Sequence, residues 1–183
     1  GKFGLGFGLV PYASVGYNFY SQLSDGRTLY KGSGGLNKAF LSLAYQLTPE
    51  LSIGADANYN FGKIENTATT QKTDLQYATR EYNRSALLGF SFNFGAIYKR
   101  MITENLQLTG SVTFTPGTNF TAENSRTLST QLILPTGAHT VDERNIYVAN
   151  TDFTFPSQIT LGAGIGKPKS WTIGGEYTNQ KTS

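Results

Sequence analysis

The chain has 183 residues, enough for one domain with a sizeable hydrophobic core, and it carries a net charge of +3. Only 15% of its residues are charged, well below the roughly 25% of typical soluble domains, and the absence of cysteine excludes a disulfide framework and thiolate metal sites. Its basic residues are scattered along the sequence, without the clustered basic patch of a nucleic-acid-binding protein.

Seven segments of alternating apolar and polar residues predict β-strands. The first runs from Phe3 to Phe19, where odd-numbered residues are apolar on both sides of Pro11. We interpret it as one long, kinked strand whose odd residues share a face, with a hairpin at Pro11 as the alternative. The others are, in chain order, FLSLAYQL, LSIGADANYNFG, SALLGFSFNFGAIYK, LQLTGSVTF, QITLGAGI and WTIGGEYT. Period-two alternation of this length predicts an all-β chain of strands with one apolar and one polar face.

The connections between these segments fall into two lengths. Short turns lie at 47–51, 102–106 and 166–171, and long polar stretches, predicted as loops, lie at 21–35, 64–83 and 116–155. The two kinds alternate along the chain, so an antiparallel meander collects all short turns at one end. This is typical of outer-membrane barrels. We therefore predict a single transmembrane, antiparallel, up-and-down β-barrel domain over 1–183 in the bacterial outer membrane, with the long loops outside.

The number of predicted strands is odd. Bacterial single-chain barrels have an even number of strands, and an unpaired strand edge is not tolerated in hydrocarbon. Seven strands therefore predict that these residues are part of a larger barrel. A small closed barrel with an eighth strand within 118–150 is the alternative.

The alternation assigns residues to two faces. The apolar face is predicted to contact membrane lipid and to carry interfacial aromatic girdles: Leu43, Tyr45, Ile53, Tyr59, Phe90, Phe92, Tyr98, Trp171 and Tyr177. The opposite face is predicted to line the lumen: Asp56, Asn58, Asn60, Ser91, Asn93, Lys99 and Glu176. The charged members could line a permeation path or pair with a plug, although solvated or paired structural charges are the preferred interpretation.

No catalytic or metal-binding motif stands out. His139 is the only histidine, so a metal site would lack partners among His and Cys. The glycines at 162, 164 and 166 have the spacing GxGxG with no helix after them, which favours a glycine-rich strand over a dinucleotide loop. We predict no enzymatic activity, no cofactor and no metal.

Three stretches carry a family resemblance: GFGLVPYASVGYNF, GGLNKAFLSLAYQLTPELSIGADANYNFG and FPSQITLGAGIGKPKSWTIGGEYT. Together they resemble the outer-membrane long-chain fatty-acid transporter (FadL/TodX-like) family, most clearly from Pro156 to Gly162 and from Trp171 to Tyr177. The resemblance implies a larger barrel plugged by an amino-terminal hatch, which passes hydrophobic molecules by diffusion. The hatch segment is absent from these residues, and no binding residue carries over to a position here.

Three functions follow as hypotheses. The first is passive uptake of a hydrophobic small-molecule ligand such as a long-chain fatty acid, captured by outer loops near Tyr30, Tyr77 and Tyr82. The second is a non-transporting structural or accessory barrel subunit of a larger outer-membrane complex, with 64–83 and 116–155 as contact surfaces. The third is a soluble barrel with lipid inside, which requires the Leu/Phe/Tyr face to point inward. In none of them is nucleic acid a partner.

Overall fold

The computed structural model describes residues 1–181, and across them the chain is all-β, with ten strands and no helix. The strands are β1 (Phe3–Leu23), β2 (Gly26–Gln46), β3 (Leu51–Lys72), β4 (Tyr77–Thr103), β5 (Leu106–Thr115), β6 (Thr118–Leu134), β7 (Gly137–Ile146), β8 (Thr151–Phe155), β9 (Gln158–Lys167) and β10 (Trp171–Gln180). All belong to one antiparallel sheet. The predicted all-β antiparallel fold is confirmed.

The ten strands form seven columns. β5 and β6 follow one another along β4, and β7, β8 and β9 return along β6 and β5. The order of columns is therefore β1, β2, β3, β4, β5–β6, β7–β8–β9 and β10. Across the described residues the sheet is open, with β1 and β10 as its edges. Because neighbouring columns run in opposite directions, these two edge strands run the same way.

The stretches predicted as long loops are largely strands, which corrects that prediction. β2 begins at Gly26, β3 continues to Lys72, β4 begins at Tyr77, and the range 116–155 contains β6, β7 and β8. Strand pairing persists where apolar alternation has stopped, because both faces of the sheet are polar there and Thr and Tyr retain a high strand propensity. β6 and β7 occupy the range proposed for an eighth strand, but they extend existing columns and leave the sheet open.

β1 is one strand, not a hairpin, but its odd residues do not share a face. Its register against β2 shifts between Pro11 and Ala13, so one extra residue is inserted and side-chain alternation inverts. Pro11 has no N–H to donate to the ladder, which suits it to a bulge. Beyond the bulge, Tyr17 and Phe19 lie on the face opposite Phe3. The predicted single face for the odd residues was therefore wrong.

The sheet curves around one of its faces. Tyr12 of β1 and Gln180 of β10 line the same cavity as residues of the central strands, which only a concave surface allows. We call this concave side the inner face and the opposite side the outer face. Asn58, on the inner face of β3, is 3% exposed, whereas Phe3, on the outer face of β1, is 84% exposed. The apolar face of the sheet therefore points outward, whereas the soluble-barrel hypothesis requires it to point inward.

Candidate functional surfaces

The outer face carries a continuous apolar band. On β3 it runs from Leu51 to Phe61, and the outer-face residues at those levels on β1, β2, β4, β5, β9 and β10 are uncharged. At its upper limit Asp152 of β8, paired with Thr121 of β6 at the Phe61 level, is charged. On β3 and β4 charge begins one step beyond each limit, at Lys63 above Phe61 and at Arg100 below Tyr98. Ten residue steps span roughly 34 Å along the strand, or about 26 Å at a barrel tilt of 35–45°, close to the roughly 25 Å apolar belt of outer-membrane barrels.

All nine residues predicted to face lipid lie on this outer face, by their pairing positions. Aromatic rings cluster towards both limits of the band. Phe3 and Tyr45 have ring centroids 4.6 Å apart near the short-turn end, and Tyr59 lies 5.4 Å from Phe61 and 5.0 Å from Phe90 near the other end. This arrangement has the form of two interfacial girdles; contact with lipid stays a prediction.

All seven residues predicted to face the lumen lie on the inner face, and four of them come together. Asn58, Asn60, Ser91 and Asn93 line a cavity of about 270 Å³. The Asn60 side-chain amide donates to Ser91 Oγ at 3.0 Å, and the Thr115 hydroxyl donates to Asn93 Oδ1 at 2.8 Å. One part of the cavity wall is therefore a network of neutral amides and hydroxyls, beside Lys38 and apolar residues such as Leu87. The charged members of the set, Asp56, Lys99 and Glu176, lie elsewhere on this face by their pairing positions.

Two phenylalanines line this cavity, and neither was predicted as a site residue, because 116–155 was interpreted as a loop. Pro116 and Pro156 interrupt neighbouring columns at the same level, and Phe120 and Phe155 beside them turn inward. Their rings meet edge to face with centroids 4.9 Å apart. Phe120 is 8% exposed, and its ring lies directly over Gly89, where no Cβ would fit. In the sequence, the signal that could have located these two phenylalanines is the pair of prolines, Pro116 and Pro156, which interrupt neighbouring columns.

The strands continue beyond the apolar band as a second region, the upper extension, formed by 13–36, 62–87 and 123–146. Both of its faces carry polar groups. On the outer face Glu65 accepts hydrogen bonds from Lys63 Nζ at 2.9 Å and from the Tyr82 hydroxyl at 2.8 Å. These bonds, the one from Lys63 first, hold the pKa of Glu65 below its usual range, and the bond to Glu65 raises the pKa of Tyr82.

On the inner face of the upper extension, Glu81 is held in the same way. It accepts a hydrogen bond from the Asn83 amide at 2.9 Å and lies 2.8 Å from Arg126 Nη2. The pKa of Glu81 is lowered, chiefly by the Asn83 hydrogen bond. The three tyrosines proposed to capture a ligand do not converge, since Tyr30 and Tyr77 lie on the inner face and Tyr82 on the outer face.

Within 1–181 no group of three His, Cys, Asp or Glu side chains is placed to hold a metal ion. His139 lies exposed on β7, paired with Leu132 of β6. The surfaces that stand out are therefore a membrane-like apolar band, a polar extension and an amide-lined cavity, all suited to packing and contact.

Comparison with known protein families shows to which family the chain belongs. The sequence model of the family described as BamG matches residues 1–183, the whole chain. The chain belongs to the BamG family. BamG membership associates it with the bacterial outer membrane and with a larger outer-membrane complex. No curated protein and no solved structure matches the chain.

The BamG match corrects the resemblance drawn from the sequence. The FadL/TodX-like family is a different family, and its identification here was wrong. The stretches that carried the resemblance are hairpins of alternating apolar and small residues. The same alternation is required of any strand with a lipid-facing and an inward face, so it does not distinguish one barrel family from another.

Proposed function

We propose that this chain contributes a non-transporting, membrane-embedded barrel wall to an accessory subunit of the outer-membrane barrel-assembly (BAM) complex. The observation that carries the proposal is the match of the BamG family over the whole chain. The proposed role involves no chemical reaction, no cofactor and no metal. It corresponds to the second of the functions inferred from the sequence.

The apolar band supports membrane embedding. On β3 and β4 its outer face is free of charge over about the thickness of a barrel's apolar belt. Its large side chains are highly exposed, including Phe7 at 78% and Ile173 at 71%. In water such a continuous patch would aggregate, whereas in hydrocarbon it requires no partner. A charge at mid-bilayer would cost about 2–4 kcal/mol, which explains why the middle of the band on β3 and β4 carries none.

The chemistry of the inner face favours a structural role and argues against a conduit for hydrophobic molecules. At the levels of the band it carries mostly Gly, Ser, Thr and Asn, together with charged residues such as Asp56 and Lys38. An apolar ligand moving along this wall would meet hydrogen-bonding groups at almost every level and gain little from burial. The cavity beside Phe120 has apolar members, but amides form much of its wall.

The upper extension supplies the surface for contact with the rest of the complex. Its strands project about ten residues beyond the band, roughly 34 Å along the strand, and are stiffened by pairing on both sides in β2, β3 and β4. Arg80 and Arg84 lie on its outer face, and arginine is enriched in protein interfaces. We assign this outer face as the side that meets a neighbouring subunit.

The test is affinity purification of the tagged full-length protein from gently solubilised outer membranes, followed by native mass spectrometry. We expect the central barrel subunit of the assembly complex to accompany it. Reversing the charge at R80E/R84E should reduce that association, while K38E on the inner face serves as the matched control. A protein that always purifies alone, or that carries an acyl ligand in its lumen, would refute the proposal.

A further inference from the structure

The net charge of the chain is concentrated at one end of the sheet. The short-turn end consists of 1–2, 47–50, 99–105 and 167–170. It holds five of the 15 Lys and Arg residues, which are Lys2, Lys99, Arg100, Lys167 and Lys169, but only two of the 12 acidic residues, which are Glu50 and Glu104. The remaining ten basic and ten acidic residues cancel, so this end alone accounts for the net charge of +3.

Two of these cations lie on the outer face, at the lower limit of the apolar band. Arg100 pairs with Leu108 of β5, and Lys167, at the end of β9, pairs with Trp171 of β10. Two strand spacings separate their columns, roughly 10 Å. The side chain of Arg100 is 64% exposed, and its Nε lies 3.8 Å from Glu50 Oε1. The Tyr98 hydroxyl donates to the other oxygen of that carboxylate at 2.7 Å, so Glu50 is shared.

An apolar groove of about 590 Å³ lies above Arg100 in the band, lined by residues of β1 to β5. Its floor is formed by small residues such as Ala55 and Ala96, and its walls by Leu43 and Tyr45 on one side and Phe94 and Phe114 on the other. Ala96 stands on the same face of β4 as Arg100, four residues away, or roughly 13 Å. The groove and the two cations therefore share the outer face, which is apolar above and positive below.

We propose that this surface binds an anionic phospholipid, with its phosphate between Arg100 and Lys167 and an acyl chain in the groove. The inference rests on the proposed embedding of the band in the membrane. Charge complementarity selects the occupant, since the positive end adjoins hydrocarbon and a headgroup phosphate is the negative group available at that depth. The indole of Trp171 beside Lys167 suits the same interface, where aromatic and basic side chains concentrate. A second copy of the chain would present like charge to this surface.

The experiment reconstitutes the full-length protein into nanodiscs of phosphatidylcholine containing phosphatidylglycerol, and counts retained lipids by native mass spectrometry. We expect the wild type to retain phosphatidylglycerol preferentially. The variant R100Q/K167Q should lose that preference, by about fivefold for each charge removed. The control R27Q/K31Q removes the same charge from the outer face of β2 in the upper extension and should retain it.

Several outcomes would overturn the lipid site. Equal retention of both lipids by the wild type, or unchanged preference in R100Q/K167Q, would do so. The lipid site would also be overturned if R100Q/K167Q released an acidic protein partner or a second copy of the chain while lipid retention stayed the same. Failure of the wild type to enter nanodiscs at all would count against membrane embedding, whereas insertion without lipid preference leaves the assembly role standing. Circular dichroism on each variant establishes that it has folded.

Discussion

The Tyr17 hydroxyl donates a hydrogen bond to Asn66 Oδ1 at 3.0 Å across the inner face of the sheet. Tyr17 is an odd-numbered residue of β1, as is Phe3, yet Phe3 packs against Tyr45 on the outer face. The shift in register at Pro11 separates the two. Phe19 follows Tyr17 onto the inner face, where its ring stacks on that of Tyr30 at 5.2 Å.

This relationship predicts energetic coupling between Tyr17 and Asn66. In a double-mutant cycle with Tyr17→Phe and Asn66→Ala, we expect a coupling energy of about 0.5–1 kcal/mol in the free energy of unfolding, at the low end for hydrogen bonds because the pair is exposed. The control cycle pairs Tyr17→Phe with Thr67→Ala, on the opposite face of β3. Zero coupling in the first cycle would mean that Tyr17 points outward in solution.

A second prediction concerns Gly89 beneath the ring of Phe120. Gly89→Ala should destabilise the protein by about 1–3 kcal/mol, because a Cβ there overlaps the ring and Phe120 must move. Gly95→Ala on the same strand is the matched control, since its Cβ would meet Thr113 Cγ2 at an ordinary 3.5 Å. Chemical unfolding of both variants measures the difference. Similar stability for the two would indicate that β6 does not cover β4 at this point.

A third prediction concerns pH. The pKa of Glu65 is lowered in the folded state by its bonds to Lys63 and Tyr82, so the ionised carboxylate stabilises the upper extension at neutral pH. That stability is present above the unfolded pKa of about 4.3, and it is lost as the pH falls through the lower folded value. The melting temperature of the wild type should therefore drop more steeply below about pH 4.5 than that of Glu65→Gln. Thr69→Ala, on the outer face of β3, removes no carboxylate, so it is the control and should keep the wild-type slope.

A fourth prediction tests the limits of the apolar band. Ala57→Arg places a charge at the middle of the band on the outer face of β3 and should cost about 2–4 kcal/mol of stability in a bilayer. Thr67→Arg, five rows above on the same face and strand, should cost little because it faces water. Denaturant titration of protein folded into vesicles provides the comparison. Equal costs for the two variants would show that the band does not contact hydrocarbon.

Most of the fold was predictable from local pattern. Period-two alternation identified the strands of the band and sorted residues such as Ile53 and Asn58 onto opposite faces, because the pleat of a strand fixes the direction of successive side chains. The same pattern failed above the band. Residues 64–83 were predicted as a loop, since both faces meet polar surroundings there and no apolar alternation is needed, although β3 and β4 remain paired.

The sequence by itself determined the fold class, the seven columns and the two faces of the central strands, because those depend on side-chain direction within each strand. Only the tertiary structure decided what depends on a partner strand. The two faces of β1 exchange at Pro11, and this is visible only from the pairing of β1 with β2. Phe120 covers Gly89 because β6 lies along β4. The five cations of the short-turn end are scattered through the chain, and they share one end because antiparallel columns bring their turns to the same level.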